Sequence, residues 1–316
     1  MKLPNRLIKI LRPTDILVIV FYSALTIINF IFWDKIDNSL THVILNSLLI
    51  IFIITLANFA NKSGSITLKQ IHFWYIVPLI FATFKELHFM VEPMRGVIYD
   101  DFLIKVDRFI FGFDPTVLLY KIANPFITEL LQIVYATFFF LPIILGIDLI
   151  IKNKDKQFCY MTFIIVLGFF LSYLGYIIVP AIGPRFTLHN FDLTNVELPG
   201  LFLTNYLREI VNAGESIPAG TPNPALVVQR DAFPSGHTQM TLLVMYLSVR
   251  FNSKTKYFFL VNGTLLIFAT VYLRYHYVAD LIGGTLFMIF TLWSGRKLYN
   301  YIMKLQNKEK FEFPKT

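Results

Sequence analysis

The apolar residues of this chain are gathered into blocks of about 20 residues, the length that matches the hydrocarbon core of a bilayer. Eight such blocks can be drawn, at 13–33, 43–60, 71–90, 128–151, 158–182, 234–250, 257–275 and 278–300. Composition agrees, since 56% of the 316 residues are hydrophobic and only 15% are charged, against roughly a quarter charged in soluble domains. The pattern predicts an all-α, polytopic membrane helix bundle with about eight transmembrane helices. Segment 97–123 carries Asp100, Asp101, Lys105, Asp107 and Arg108, too much charge for a ninth span. It reads as an amphipathic interfacial or re-entrant element, ended by the breakers of FGFDP (Phe111–Pro115). The first block is followed by DKIDNS, with no small-residue cleavage site, which predicts a retained helix and not a removed signal peptide.

Orientation follows from the basic residues, which are retained in cytoplasmic loops. The short breaks with Lys62 and Lys69, with Lys152, Lys154 and Lys156, and with Arg250, Lys254 and Lys256 share one side with both ends in an eight-span layout. The termini are therefore expected in the cytoplasm, in a plasma or inner membrane. This asymmetry accounts for the formal charge of +8. Nucleic acid is not an expected partner, because no basic patch with interleaved aromatics lies outside the membrane boundary. The single Cys159 excludes an intramolecular disulfide and any multi-cysteine metal site. Neither HExxH nor paired cysteines occur, so no zinc site is expected.

Three polar clusters stand at block ends: PAIGPR (Pro180–Arg185), PSGH (Pro234–His237) and RYHYVAD (Arg274–Asp280). The eight-span layout puts all three at the non-cytoplasmic face, which scattered polar residues would have no reason to do. Pro234 at the first helical position would leave the N–H groups of Ser235, Gly236 and His237 open, a seat for an anion at the positive end of a helix. By itself this turn reads first as a plain helix cap. His276 and Asp280 are four apart, on one face if helical. A carboxylate on one imidazole nitrogen fixes the tautomer and leaves the other nitrogen free as nucleophile or base. Arg185 and Arg274 stand at interface depth, where arginines commonly snorkel, yet two guanidiniums aimed at one seat would suit phosphate oxygens. A nucleophile, an acid/base and a charge clamp are what metal-free phosphoryl transfer requires.

A long loop, 183–233, separates the first two clusters, and loops of that length are seldom idle. Its LTNYLREIVNAG stretch is expected as a short helix capped at Thr204 or Asn205 and closed by Gly214. Lys85 in the third block, with Arg230, Asp231 and His189 in the loop, are further candidates for contact with a substrate headgroup. His42 and His72 read as ordinary interface residues.

With these residues in hand, the chain resembles the type 2 phosphatidic acid phosphatase (PAP2) superfamily, which shares its core with vanadium haloperoxidases. That family carries Lys-x6-Arg-Pro, Pro-Ser-Gly-His and Ser-Arg-x5-His-x3-Asp. The second motif is intact at Pro234–His237 and the third keeps His276-x3-Asp280. The family arginine of the third motif falls on Thr270, after Ala269, and Arg274 lies one helical turn later. The first motif is replaced by Gly183-Pro184-Arg185, with Ile178 at the lysine position. These departures look like the inositol-phosphorylceramide-synthase-like branch.

The resemblance implies a PAP2/haloperoxidase-like core over roughly 97–300, acting on a lipid phosphate in the bilayer without cofactor or metal. By the same carry-over His276 would attack phosphorus, oriented by Asp280, and His237 would serve as acid and base. Arg185, Arg274, Ser235 and Gly236 would hold the phosphoryl oxygens. The expected domains are N-terminal helices 1–90, an interfacial segment 91–127, a catalytic membrane core 128–303 and a tail 304–316. Hydrolysis of a lipid phosphomonoester is the expected reaction. Transfer of a phospho-headgroup, such as inositol phosphate, to ceramide or another lipid alcohol is the alternative. A non-enzymatic headgroup binder or transporter is the competing class. Headgroup, acyl chain, acceptor and oligomeric state are not readable.

Overall fold

The computed structural model describes residues 8–314. Residues 1–7 and 315–316, the outermost parts of the ends expected in the cytoplasm, lie outside the described residues. Among the described residues all regular secondary structure is helical. The principal helices are α1 (Pro13–Ile31), α2 (Ser39–Ser63), α3 (Ile66–Trp74), α4 (Ile76–Met94), α5 (Asp100–Phe111) and α6 (Pro125–Ala136). They continue with α7 (Phe140–Ile151), α8 (Asp155–Ile178), α9 (Thr204–Gly214), α10 (Gly236–Arg250), α11 (Lys256–Tyr272) and α12 (Val278–Leu305). Pro13 and Pro125 open their helices at a position where the missing N–H has no intrahelical partner to lose.

All eight apolar blocks are helical, but they do not all have the length of a span. Five stretches are long and apolar enough: α1, α2, the run Ile66–Met94, α8 and α12. A sixth is added if α6 and α7, bent by 53° at their break, are taken together. Helices α10 and α11 have 15 and 17 residues, about 22–26 Å at 1.5 Å per residue, against a hydrocarbon core of about 30 Å. Helix α10 also buries Thr238, Gln239, Thr241 and Ser248 beside its apolar residues. A helix enclosed by protein and a helix enclosed by lipid are both apolar all round, which is why the block at 234–250 reads as a span.

The chain divides into two compact units. Among the described residues the first comprises those up to 96, 149–171 and those from 290 onward. Its apolar helices are pinned by a few buried polar groups, each of which would be costly in lipid without a partner. The Glu86 carboxylate on α4 accepts from Asn29 on α1 at 3.1 Å and Asn46 on α2 at 2.8 Å. Asp15 accepts the Tyr75 hydroxyl at 2.9 Å and pairs with His72 at 2.8 Å. His72 is thereby a buried structural partner of Asp15.

The second unit comprises 97–148 and 172–289. Helix α5 is amphipathic, as the sequence predicts: Phe102, Phe109, Ile110 and Phe111 are exposed, while Leu103 and Ile104 are buried. Two of its acids, however, turn inward. Asp100 accepts the N–H groups of Ile182 and Gly183, at 3.0 and 2.8 Å, and the Tyr277 hydroxyl at 2.9 Å. Asp107 accepts the N–H groups of Val278 and Ala279, at 2.9 and 2.7 Å, and so caps α12 from another helix. Glu129 of α6 does the same for α9. It receives the N–H of Leu201, Leu203 and Thr204 and the Thr204 hydroxyl, at 2.6–3.2 Å. Thr204 is thus the first helical residue and not the cap, and the open N–H groups find a carboxylate at the positive helix end.

Removing an N-cap acceptor costs about 1–2 kcal/mol. Asp107→Ala is expected to lose stability on that scale, read as a lowered unfolding midpoint of the detergent-solubilised protein. Asp101→Ala, which alters an exposed neighbour, leaves the midpoint unchanged.

Candidate active site

Main-chain hydrogen bonds sew the three polar clusters together. Ala232 N–H donates to Ala181 O at 3.0 Å, Arg185 N–H to Arg274 O at 3.1 Å, and Ser235 N–H to Asp280 O at 3.0 Å. Two glycines make this approach possible. A Cβ on Gly183, already at φ +91°, would stand 2.7 Å from Tyr275 O, and one on Gly284 would stand 2.5 Å from Ser235 O. Both distances are below any tolerable contact, so these positions take only hydrogen.

His276 sits in the turn between α11 and α12, where its N–H and that of Tyr275 donate to Thr270 O at 3.1 and 2.9 Å. Its Nδ1 lies 3.0 Å from Ala232 O and 3.3 Å from the Asp280 carboxylate. A carbonyl oxygen only accepts, so Nδ1 carries the proton and Nε2 is the unprotonated nitrogen. Nε2 points to His237 Nδ1 at 3.5 Å. The Asp280 carboxylate is itself held by the Tyr277 N–H at 2.9 Å. Burial pushes the His276 pKa down to about 4; smaller opposing influences come from Glu215, which raises it, and Arg185, which lowers it. The imidazole is therefore neutral through the physiological range, as a nucleophile must be.

His237, on the first turn of α10, packs against aromatic rings. Tyr135 stacks on it at 4.6 Å and Phe138 lies at 4.2 Å, with Tyr135 stacked in turn on Tyr275 at 4.5 Å. These rings escape the sequence reading because aromatic residues are common throughout the apolar blocks. The helix starts at Gly236, with Ser235 as its cap: Ser235 Oγ accepts the Thr238 N–H at 3.2 Å. Pro234 stands before the cap, after a cis peptide bond, and not at the first helical position. Because the Ser235 N–H is taken by Asp280 O, the open N–H groups are those of Gly236 and His237. A Cβ on Gly236 would meet the Tyr176 hydroxyl at 2.5 Å, so this hydroxyl stands beside the seat.

The two arginines diverge. Arg185 is buried, donates to Asn212 Oδ1 at 2.9 Å and to the Glu215 carboxylate, and packs 4.9 Å from the Tyr275 ring centre. It acts electrostatically on His276. Arg274 adopts φ +67°, donates to the Glu197 carboxylate and lies 5.4 Å from the Tyr120 ring centre. The two guanidiniums thus have separate carboxylate partners. His189 bonds Thr116 at 2.9 Å, and burial, then Arg274, lowers its pKa to about 4. Asp231, half-buried, is an electrostatic neighbour of Tyr135 and Tyr176. Arg230, next to it, is also half-buried. Lys85 belongs to the first unit, on α4. Among the described residues no three His, Cys, Asp or Glu side chains converge as a metal site.

The sequence profile of the PAP2 superfamily matches residues 101–294, well over half of the chain. The chain belongs to the PAP2 superfamily. The matched stretch contains both histidines, Asp280, Ser235, Gly236, Arg185 and Arg274. No curated protein and no solved structure matches the chain.

The burial of His276 sets an expected titration. In spectra of the detergent-solubilised protein with 13C-labelled histidine, assigned by His276→Asn, the His276 resonance should titrate near pH 4. As pH falls through that value the neutral imidazole is lost; a midpoint near 6.5 would contradict the buried, hydrogen-bonded geometry.

Proposed function

We propose that this PAP2 protein is a membrane-embedded lipid-phosphate phosphatase, working at the non-cytoplasmic face through a phosphohistidine. The observation that carries this reading is the pinning of His276 Nδ1 by Ala232 O and Asp280, which leaves Nε2 free beside His237. In the first step Nε2 attacks phosphorus, the bond from phosphorus to the lipid oxygen breaks, and His237 protonates the departing alkoxide. In the second step His237 takes a proton from water, the water oxygen attacks phosphorus, and the N–P bond breaks to release inorganic phosphate. The Gly236 and His237 N–H groups, the Ser235 hydroxyl and Arg185 hold the phosphoryl oxygens. Arg274, paired with Glu197, is assigned a supporting positive charge in the same step. The core that carries this chemistry is assigned to residues 128–303, with 91–127 as its interfacial segment.

The same machinery performs transfer when a lipid alcohol replaces water in the second step, as in the inositol-phosphorylceramide-synthase-like branch. The aromatic wall of Tyr135, Phe138 and Tyr275 around His237 supports this second reading, because it limits water at the reacting atoms.

The test is a purified preparation assayed on lipid phosphates. Release of inorganic phosphate, inhibited by vanadate, supports hydrolysis; movement of the headgroup to ceramide or diacylglycerol supports transfer. His237→Ala is expected to lower kcat about 10²–10⁴-fold, and His276→Ala to reduce turnover to background. Full turnover by a correctly folded His276→Ala protein would overturn the phosphohistidine and leave the headgroup-binder or transporter reading.

A further inference from the structure

Arg208, on α9, is a buried guanidinium without an acid. It is 6% exposed, and its donors go to neutral acceptors, Asn195 Oδ1, the Tyr275 hydroxyl and, at 3.1 Å, Leu198 O. Among the described residues no carboxylate is within ion-pair distance of it, although buried charges are ordinarily paired. Its neighbours increase the imbalance. Arg185 and Arg274 both act on it electrostatically, and each already has a carboxylate of its own, Glu215 and Glu197. Among the described residues these three guanidiniums have two ion-paired carboxylates between them, which leaves Arg208 without an ion-pair partner.

That charge borders a cavity of ≈ 200 Å³, with Arg185, Asn205, Asn212 and Tyr275 also on its wall. Guanidinium and amide groups supply N–H donors, and a guanidinium fork matches phosphate oxygens. Two acids, Asp192 and Glu209, also line it, but both are solvent-exposed, where water screens them. The cavity adjoins the histidine pair through two shared residues: Arg185 acts on His276, and Tyr275 stacks on the ring that covers His237.

We infer that the Arg208 cavity is a second oxyanion site, which takes a phosphate group other than the one attacked by His276. Two sources have this chemistry: the second phosphate of a lipid diphosphate, and inorganic phosphate. The lipid source rests on the proposed phosphatase reading; binding of the anion does not.

The test is calorimetric titration of the full-length protein in detergent with inorganic phosphate and with pyrophosphate. Arg208→Gln is expected to weaken binding about tenfold or more, the scale of one charge-assisted hydrogen bond, and Arg208→Lys to weaken it less. A loss confined to pyrophosphate assigns the site to a diphosphate group, and an equal loss for both anions assigns it to inorganic phosphate. Asn205→Asp, at an exposed position on the wall, covers the case in which Arg208→Gln does not fold, and is expected to weaken binding to the same degree. Wild-type affinity for both anions in folded Arg208→Gln, or in Asn205→Asp if the former is unfolded, would overturn the inference. Arg208-dependent binding in a protein without turnover would refute the phosphatase reading alone. Turnover with Arg208-independent binding would refute the second site alone.

Discussion

Asp280 holds the two histidine-bearing segments in register through two of its atoms. Its main-chain oxygen accepts the Ser235 N–H that precedes α10, and its buried carboxylate accepts the Tyr277 N–H and the His276 Nδ1 proton. The first contact fixes where His237 emerges, and the second fixes which nitrogen of His276 is free. A buried carboxylate tolerates its position only with such donors around it, so the register and the tautomer are set by one requirement. Asp100 and Asp107 extend the principle outward, tying the 180–185 segment and the first turn of α12 to the interfacial helix α5. The candidate site is thus suspended from carboxylates that accept main-chain N–H groups, and apolar packing fills the space between them.

Much of this was legible in the residue order. Blocks of apolar residues marked every principal apolar helix, because a helix in lipid or in a tight core must satisfy its own backbone. The meeting of Pro180–Arg185, Pro234–His237 and Arg274–Asp280 followed from their common place at block ends. The amphipathic character of 97–123 was visible in its charges. What those charges do was not, since an acid that caps a distant helix looks the same in sequence as one that faces water. Asp100, Asp107 and Glu129 all fall in this class.

The arginines and α10 teach a related lesson. Arg185 and Arg274 are neighbours through a main-chain bond, yet the left-handed turn at Arg274 sends its side chain to Glu197 and Tyr120. Sequence spacing places a Cα; it does not choose between the two carboxylates that wait for the guanidiniums, because both come from the long loop. Helix α10 reads as lipid-facing because periodicity is silent on whether an apolar helix is enclosed by lipid or by protein. Its buried threonines and glutamine were the available signal.

The central claim is that Nε2 of His276 is the atom that bonds phosphorus. Enzyme mixed with a 32P-labelled lipid phosphate, quenched in alkaline denaturant because the N–P bond of phosphohistidine hydrolyses in acid, digested at alkaline pH and sequenced by mass spectrometry with the isomer read by 31P NMR, tests it directly. The account predicts phosphate on His276, attached at Nε2. Phosphate on Nδ1, on His237 or on another residue would contradict it.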